Sequence, residues 1–399
     1  MSAITQKELL TTIYEEIDQG FDEIVGWRRY LHEHPELSFE EYETAKFIAE
    51  KLESFGLEVK KGIGGNGLIG ILKGDQAGKT IALRADFDAL PITDLKEVAY
   101  KSQKEGVMHA CGHDGHTTAL LATAKTLSHY REHLHGNIIF IFQHAEEKPP
   151  GGAKFMIAEE VLKDVDYVFG AHLDSGSPVG KVSVGDGFKM AAVDKFAIKI
   201  QGLGGHGAKT QQSIDSIVVG SEIVGALQKI VSRRLNPFDA AVVTVGVFHA
   251  GSAFNIIADS AIIEGTVRTM TDEVRIKVKE EIYSIVKGVT ESAHATYEID
   301  YLHGYPALYN HPTETELVKE LFEVEFGTDS VIEFEPSMGG EDFAYFLNEK
   351  PGTYFKAGSR NDDERTHFAH HHPKFDFDER ALLTIEKAFV KIVSHYLFK

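Results

Sequence analysis

The segment Asn137-Ile-Ile-Phe-Ile-Phe142 carries an unbroken apolar run of β-branched and aromatic residues. Such a run is typical of a β-strand that is covered on both faces. A second strand of this kind is predicted at Tyr167–Leu173, and helical spacing is found at Gly115–Leu127 and Gly151–Glu160. Strands that alternate with helices indicate an α/β fold with a mostly parallel sheet and helices on both faces.

The pattern changes after about residue 190. Val193–Gln201 alternates polar and apolar side chains, and the predicted elements that follow have the order β-α-β-β-α-β up to about residue 302. This order is ferredoxin-like, with an antiparallel sheet that has one face free. The α/β pattern then resumes. We therefore predict one domain formed by residues 1–190 and 303–399, interrupted by an inserted domain formed by residues 191–302.

Near the start of the chain, Ser38-Phe39-Glu40-Glu41 fits a capping box. It predicts a helix that starts there and runs to about Phe55, before Gly56.

The bulk composition narrows the class of protein. A chain of 399 residues is long for one hydrophobic core, which agrees with two domains. The single cysteine excludes an intrachain disulfide and fits a reducing compartment. A formal charge of −20 argues against non-specific nucleic-acid binding. No apolar run approaches the ~20 residues of a membrane helix, and the first residues do not resemble a signal peptide. We expect a cytoplasmic protein with no nucleic-acid or membrane partner.

Polar side chains able to bind metal follow the predicted strands or precede a helix. They are Asp86 and Asp88, Cys111 and His113, Glu146 and Glu147, and His172. Ligands of open α/β sheets bind beyond the carboxyl ends of the strands, so we expect these side chains to lie close together. His371, near the C-terminus, is a further candidate. Five or six ligands exceed what one tetrahedral zinc ion takes and suit two metals about 3.5–4 Å apart.

Each of these residues also has a simpler interpretation. A lone cysteine is often a small buried hydrophobe, and Cys111 could instead be the nucleophile of a cysteine hydrolase. Two adjacent glutamates are often only a solvated acidic pair. Clustering at strand ends favours metal ligation, with one glutamate as ligand and the other as general base. We predict structural or supporting positions for His109, His116 and His144, and we rank His370 and His372 below His371.

The motifs of this chain resemble those of a known family over nearly its whole length. They are Arg28-Arg29-Tyr30-Leu31-His32, Arg84-Ala85-Asp86-Phe87-Asp88-Ala89-Leu90-Pro91, Met108–His116, Ala145-Glu146-Glu147, Gly204-Gly205-His206-Gly207-Ala208, Gly265-Thr266-Val267-Arg268-Thr269, Gly340-Glu341-Asp342-Phe343 and His371-His372-Pro373. Together they resemble the amidohydrolase branch of the dinuclear metallopeptidases, which includes aminoacylases, hippurate hydrolases and auxin-conjugate hydrolases.

The resemblance implies a three-layer α/β/α zinc-peptidase-like catalytic domain and an inserted ferredoxin-like dimerisation domain. It also implies residue roles. The ligands of two divalent metals would be Cys111, His113, Glu147, His172 and His371. Glu146 would be the general base, and Asp86 would orient a ligand. His206 would stabilise the oxyanion in the partner subunit's site. Substrate contacts would come from Asn255, Arg268 and Gly340, with the arginine suited to a planar carboxylate.

The implied activity is hydrolysis of N-acyl amino acids, such as N-acetyl amino acids, to a carboxylate and a free amino acid. A water activated by two metals would attack, and the ligand types favour zinc or manganese, with nickel or cobalt as alternatives. Cys111 and Glu147 are the only two of the five ligands able to bridge both ions, and we expect Cys111 to do so. Rival functions are a dipeptidase or aminopeptidase with the same metals, and a non-enzymatic scaffold or metal-storage protein.

The chain departs from the family pattern at three places. Lys209-Thr210 and Asp215-Ser216 follow the histidine motif of the inserted domain, and His144 replaces the usual proline before Ala145. We expect these departures to bear on substrate preference more than on mechanism.

Overall fold

The computed structural model describes residues 5–398, which divide between two compact units. The larger unit contains the described residues up to Lys189, Tyr309–Glu335 and those from Asp342 onward. The smaller unit contains Met190–Leu308 and Pro336–Glu341. The smaller unit thus includes a short return segment that lies outside the predicted range 191–302. Among the described residues, no helix is both long and apolar enough to span a bilayer.

The helices, in chain order, are α1 Gln6–Gln19, α2 Phe21–Glu33, α3 Tyr42–Ser54, α4 His113–His129, α5 Gly152–Ala158, α6 Ser216–Lys229, α7 Asp272–Ser292, α8 Pro312–Phe326, α9 Ala344–Glu349 and α10 Ala381–Leu397. The strands are β1 Glu58–Ile63, β2 Gly67–Lys73, β3 Gln76–Asp86, β4 His135–Gln143, β5 Tyr167–Pro178, β6 Val182–Val184, β7 Gly187–Met190, β8 Ala192–Gln201, β9 Gly205–His206, β10 Ala241–Ala250, β11 Ile256–Ile257, β12 Ser260–Thr269, β13 Thr296–His303, β14 Leu308–Asn310, β15 Val331–Glu333 and β16 Gly352–Arg360.

The larger unit is built on an eight-stranded sheet of order β1-β2-β4-β3-β5-β16-β6-β15. The central strands β4, β3, β5 and β16 pair in parallel, whereas the pairs β1–β2, β2–β4 and β6–β16 are antiparallel. The α/β class is therefore confirmed. Since β6 and β15 also pair in parallel, four of the seven pairs are parallel, and the sheet is mostly parallel with antiparallel pairs at one edge and between β6 and β16. The antiparallel pairing of β1 and β2 at one edge has a local cause, because the short turn between them cannot form the long crossover that a parallel pair needs.

The central strands lie in the core of this unit. The last seven residues of β3 and the last six of β4 are all buried. Successive side chains of a strand point to opposite faces, so both faces of the sheet are covered. Phe140 and Phe142, two positions apart on one face of β4, belong to the same apolar cluster as residues of α4 and α10, so these helices cover that face.

The smaller unit has a four-stranded antiparallel sheet of order β10-β12-β8-β13. With α6 and α7, the elements follow one another in the ferredoxin-like sequence β-α-β-β-α-β. Alternate residues of β8, among them Phe196 and Ile198, are buried in a core shared with Ile223 of α6 and Ile282 of α7. The intervening residues of β8 are more exposed, as expected for a sheet covered on one face.

The capping-box prediction at Ser38 is wrong, although the helix exists. Helix α3 begins at Tyr42, and its N-cap Glu41 makes no side-chain capping hydrogen bond. Ser38 instead donates its hydroxyl to Oδ2 of Asp88 at 2.6 Å. The hydroxyl is thus used in a contact with a residue far along the chain, which a local sequence pattern does not reveal.

Candidate functional site

The five side chains predicted as metal ligands converge in the larger unit. Sγ of Cys111 lies 3.5 Å from Nε2 of His172. Nε2 of His371 lies 3.2 Å from Oε1 of Glu147, and Nε2 of His113 lies 3.9 Å from the same oxygen. Cys111 lies in the loop before α4, and His113 begins that helix. Glu147 follows β4, His172 lies in β5, and His371 lies in the segment before α10. The five side chains thus lie close together, as the sequence predicted, although His172 lies within β5 rather than at its end.

Among the described residues, two of the five groups of ligand atoms that lie within 4.8 Å of one another consist only of predicted ligands: Cys111, His113 and His172 form one, and Cys111, Glu147 and His371 form the other. Bonds of about 2.0–2.3 Å place the ligands of one zinc ion roughly 3.3–3.8 Å apart. The separations of 3.5 Å between Cys111 and His172 and 3.2 Å between Glu147 and His371 are close to that range. Cys111 belongs to both sets.

The imidazoles are oriented as metal-binding histidines usually are. Nδ1 of His113 donates to the carbonyl oxygen of Asp88 at 2.9 Å, and Nδ1 of His172 donates to that of Leu173 at 2.6 Å. These contacts assign the proton to Nδ1 and leave Nε2 with its lone pair. Nε2 of His113 and Oε1 of Glu147 are buried and have no hydrogen-bond partner among the described residues. Metal ions fit this donor set, which combines a thiolate, imidazoles and a carboxylate.

Protonation in this site depends strongly on its neighbours. Without a bound metal, burial raises the pKa of the Cys111 thiol, and the nearby Glu147 carboxylate raises it further. The nearby Cys111 thiol and Glu147 carboxylate raise the pKa of His371 to about 10. Ligands must lose their protons to bind metal, so metal affinity at this site depends on pH.

Asp88 fixes the backbone of the two adjacent glutamates. Its Oδ1 accepts from the N–H of Glu146 at 3.0 Å, and its Oδ2 accepts from the N–H of Glu147 at 2.9 Å. Glu41 accepts from the N–H of Ala145 at 2.8 Å, where φ is 53°. Asp88 also contacts Nδ1 of His113 through Oδ1 at 3.2 Å. Asp88, which the sequence suggested only as a candidate metal-binding side chain, and Glu41, which it did not single out, therefore support the backbone of this segment.

Asp86, for which an orienting role was expected, binds a different histidine. Its Oδ1 lies 2.7 Å from Nδ1 of His116, and Arg84 donates to its Oδ2 at 2.7 Å. Oδ2 of Asp86 is 3.7 Å from Nε2 of His113. Nε2 of His116 accepts from the N–H of Leu173 at 2.9 Å. Both ring nitrogens of His116 are thus engaged by protein, as a structural histidine requires.

The other histidines near the site differ in their contacts. His370 uses both nitrogens, Nδ1 towards the carbonyl of Cys111 at 3.2 Å and Nε2 towards the N–H of Ser175 at 3.3 Å. His372 stacks on Phe368. The rings of His109 and His144 are buried without hydrogen-bond partners in the described part of the chain. Of the three consecutive histidines, only His371 directs a nitrogen towards Glu147.

Glu146 is buried, with 7% of its surface exposed. Its Oε2 lies 4.0 Å from Nε2 of His113, so its carboxylate stands beside the ligand cluster. Its backbone is held by Asp88, as described above. A carboxylate in this position can exchange a proton with a group bound among the ligands.

In the smaller unit, His206 and Asn255 line one cavity of about 600 Å³. Strand β9, which contains His206, pairs with β11 just after Asn255, and the N–H of Gly207 donates to the carbonyl of Asn255 at 2.9 Å. Nδ1 of His206 accepts from the N–H of Ala208 at 3.0 Å. In the neutral ring the proton is therefore on Nε2, which is available as a donor.

The two remaining substrate candidates are also in the smaller unit. Arg268, in β12, donates to the carbonyl of Val267 at 3.1 Å and to the hydroxyl of Thr266, and it is not among the residues lining the cavity. At Gly340 a Cβ atom would lie 2.2 Å from Cγ2 of Val193. Close packing against β8 is therefore sufficient to explain the glycine.

The family model described as Peptidase family M20/M25/M40 matches residues 82–395. The chain belongs to this family. This membership confirms the resemblance and the prediction of a hydrolase acting on amide bonds. The chain is 45% identical to an N-acyl-L-amino acid amidohydrolase of Geobacillus stearothermophilus over 74% of this chain and 80% of that one. It is 39% identical to thermostable carboxypeptidase 2 of Saccharolobus solfataricus over 94% and 95% of the two chains.

A solved structure supports the same assignment. The chain resembles a dinuclear metal binding peptidase of the M20 family from Bacillus subtilis, with a TM-score of 0.81 and 35% identity over 95% of this chain and 98% of that one. The α/β fold described above is therefore the fold of this family.

Proposed function

We propose that this M20 family member is a metal-dependent amidohydrolase that cleaves N-acyl amino acids to a carboxylate and a free amino acid. The observation that carries the proposal is the convergence of five ligand-type side chains beside the buried carboxylate of Glu146. The similarity to an N-acyl-L-amino acid amidohydrolase supports the substrate class. The single cysteine fits a reducing compartment, and we place the enzyme in the cytoplasm.

The five ligands would hold two divalent metals, zinc or manganese, and the Cys111 thiolate would contribute to both groups of ligands. Cys111 is shared by the two ligand sets, and a thiolate has lone pairs for two ions, whereas a neutral imidazole has one. When bound, the metals would polarise the acyl carbonyl and lower the pKa of the attacking water. Nδ1 of His113 and of His172 remains bound to a backbone carbonyl, which keeps both rings in place during the reaction.

Glu146 is the general base in this proposal. Its carboxylate takes the proton of the attacking water and later delivers it to the leaving amine. Asp88 keeps the carboxylate in position through the backbone of Glu146. Burial beside the ligand cluster shields the transferred proton from bulk solvent.

The smaller unit supplies groups that recognise the substrate. Nε2 of His206 donates to the oxyanion, because Nδ1 is occupied by the N–H of Ala208. Asn255, in the same cavity, and Arg268 bind the free carboxylate of the amino acid. Gly340 is also proposed to contact the substrate, in addition to its close packing against β8 described above.

A second copy of the chain is proposed to pair through the smaller unit, bringing His206 into the partner subunit's site. Strand β10 is at the edge of the four-stranded sheet, where its outer backbone groups can pair with another strand. Large apolar side chains are exposed on the same unit, with Phe238 at 95% and Val218 at 62%. An edge strand beside exposed apolar residues is suited to a symmetric homodimer.

The deciding experiment is an assay of N-acetyl, N-succinyl, N-benzoyl and indole-acetyl amino acids beside dipeptides, with metal analysis of the same protein. We expect N-acyl amino acids to be cleaved and two metals to be found per chain. Preference for peptides would favour a peptidase, in line with the carboxypeptidase relative. Activity that survives chelation would favour a cysteine hydrolase, and a protein that turns over no acyl substrate would be a scaffold or a metal store.

A further inference from the structure

Arg28 is a fully buried cation that joins two distant parts of the chain. None of its surface is exposed. Its Nε donates to Oδ2 of Asp114 at 3.0 Å, and its Nη2 donates to Oδ1 of Asp376 at 2.9 Å. Asp114 directly follows His113 in the first turn of α4, and Asp376 lies shortly after His371. One guanidinium therefore connects the segments that carry two proposed ligands.

A second connection runs from the same helix. Nδ1 of His32, one turn after Arg28 in α2, lies 2.7 Å from Oδ2 of Asp114. Nζ of Lys96 lies 2.6 Å from Nε2 of His32 and donates to the carbonyl of Phe375 at 2.9 Å. Nε2 of His32 also lies 3.3 Å from Oδ2 of Asp94. The link again joins the first turn of α4 to the segment after His371.

Tyr100 acts on only one side of this cluster. Its hydroxyl donates to Oδ2 of Asp376 at 2.7 Å, and the guanidinium carbon of Arg28 lies 4.9 Å from its ring centre. Removing the hydroxyl therefore weakens the hold on Asp376 and leaves the contacts of Asp114 unchanged. Arg28 thus holds both segments directly, whereas the hydroxyl of Tyr100 holds only the segment after His371.

We propose that Arg28 is a positioning residue for the metal centre, setting the separation of His113 and His371 through Asp114 and Asp376. This inference rests on the proposed function, since it requires that metals bind there. The planar fork of arginine directs separate N–H groups at each carboxylate, whereas a lysine ammonium is a single point charge. A lysine at this place keeps the charge and loses the fixed geometry.

The test is a titration of the metal-free, full-length protein with Zn²⁺ by calorimetry, with folding checked by circular dichroism. We compare Arg28→Lys with Arg29→Lys, because Arg29 is the next residue of α2, is 45% exposed, and bonds Glu379 at 2.7 Å. We expect Arg28→Lys to weaken both binding steps by about 10- to 100-fold, the usual loss when a residue supporting the ligands is changed. Arg29→Lys should bind as the wild type does.

Tyr100→Phe is a second, milder substitution, and its metal affinity can be measured even if Arg28→Lys does not fold. We expect it to weaken only one of the two binding steps, because only the His371 side loses a contact. A role confined to stability would lower the melting temperature and leave both affinities unchanged. If Arg28→Lys folds and binds metal with wild-type affinity in both steps, the proposal is overturned. If Arg28→Lys does not fold, wild-type affinity of Tyr100→Phe in both steps overturns it. Wild-type protein that binds no metal overturns instead the proposed function.

Discussion

Asp88 accepts a hydrogen bond from the backbone N–H of Glu147 at 2.9 Å with Oδ2, while its Oδ1 accepts from the N–H of Glu146 at 3.0 Å. One buried carboxylate thus fixes the proposed general base and an adjacent proposed ligand together. Burial raises the pKa of Asp88, but the nearby His113, the hydroxyl of Ser38 and the N–H of Glu147 together hold it below its usual value.

Asp88→Asn should disrupt this arrangement, because an amide NH₂ would face an N–H donor in place of an acceptor. We expect the metal affinity to fall by about 10- to 100-fold and turnover to fall with it. Metal analysis and kinetics on the same preparation measure both. Ser38→Ala is the matched control, since it removes one donor and leaves both backbone bonds, and it should have a smaller effect. Equal effects of the two variants would contradict the role given to Asp88.

Glu146→Gln should retain the fold and both metals while turnover falls by roughly two to four orders of magnitude, the usual contribution of acid–base catalysis. The amide cannot accept the proton of the attacking water. Steady-state kinetics and metal content are the measurements, with Glu147→Gln as the comparison. That second variant should lose metal as well as activity. Turnover near wild type in Glu146→Gln would remove Glu146 from the mechanism.

Chelation should abolish activity, and added zinc or manganese should restore it. Replacement by cobalt gives a direct view of Cys111, because a thiolate bound to cobalt shows a charge-transfer absorption. We expect this absorption to involve both ions when two equivalents are bound. Charge transfer to a single ion would show that Cys111 does not bridge.

His206→Ala should lower turnover by about 100- to 1,000-fold, the range for loss of one oxyanion donor. If His206 acts in the partner subunit's site, mixing this variant with Glu146→Gln and allowing subunits to exchange should restore part of the activity. Each mixed dimer then contains one site with both residues intact. Absence of recovery in a mixture shown to contain mixed dimers would place His206 in its own subunit's site or outside catalysis.

Glu386, which is not one of the proposed metal ligands, should make the free energy of unfolding depend on pH. It is 2% exposed, Thr126 donates to it at 2.8 Å, and burial raises its pKa from 4.5 to about 8. Glu16 raises the pKa further, and Lys125 and Lys387 oppose the shift. The unfolded chain releases this proton at lower pH than the folded one. Its contribution to stability is therefore complete below pH 4.5 and is lost as the pH rises to about 8.

Urea unfolding at pH 5, 7 and 9 tests this expectation. Over that window Glu386→Gln should show a flatter dependence of the unfolding free energy on pH than wild type, by at most about 1.4 kcal/mol per pH unit. Glu23→Gln is the control, because Glu23 lines the same cavity with 47% of its side chain exposed. An unchanged slope for Glu386→Gln would show that this carboxyl does not titrate as stated.

The sequence predicted the clustering of the proposed ligands better than their supporting contacts. The rule for the carboxyl ends of strands accounts for Glu147, which follows β4, whereas Cys111 lies in the loop before α4 and His172 lies within β5. The choice between Asp86 and Asp88 could not be made in this way, since both residues follow the same strand two positions apart. Their partners lie on α4 and beyond β4, and only the folded chain shows which carboxylate meets which donor. The burial of Arg28 is equally invisible, because its neighbour Arg29 is of the same type and exposed.

The proposed ligands Cys111 and His371 are separated by most of the chain, and the ferredoxin-like unit is encoded between them. A nascent polypeptide that has reached the end of β13 contains Cys111, His113, Glu147 and His172 but not His371. The proposed metal centre can therefore be completed only after the inserted unit has been synthesised. The order of translation thus keeps a half-made chain from acquiring the complete set of proposed ligands.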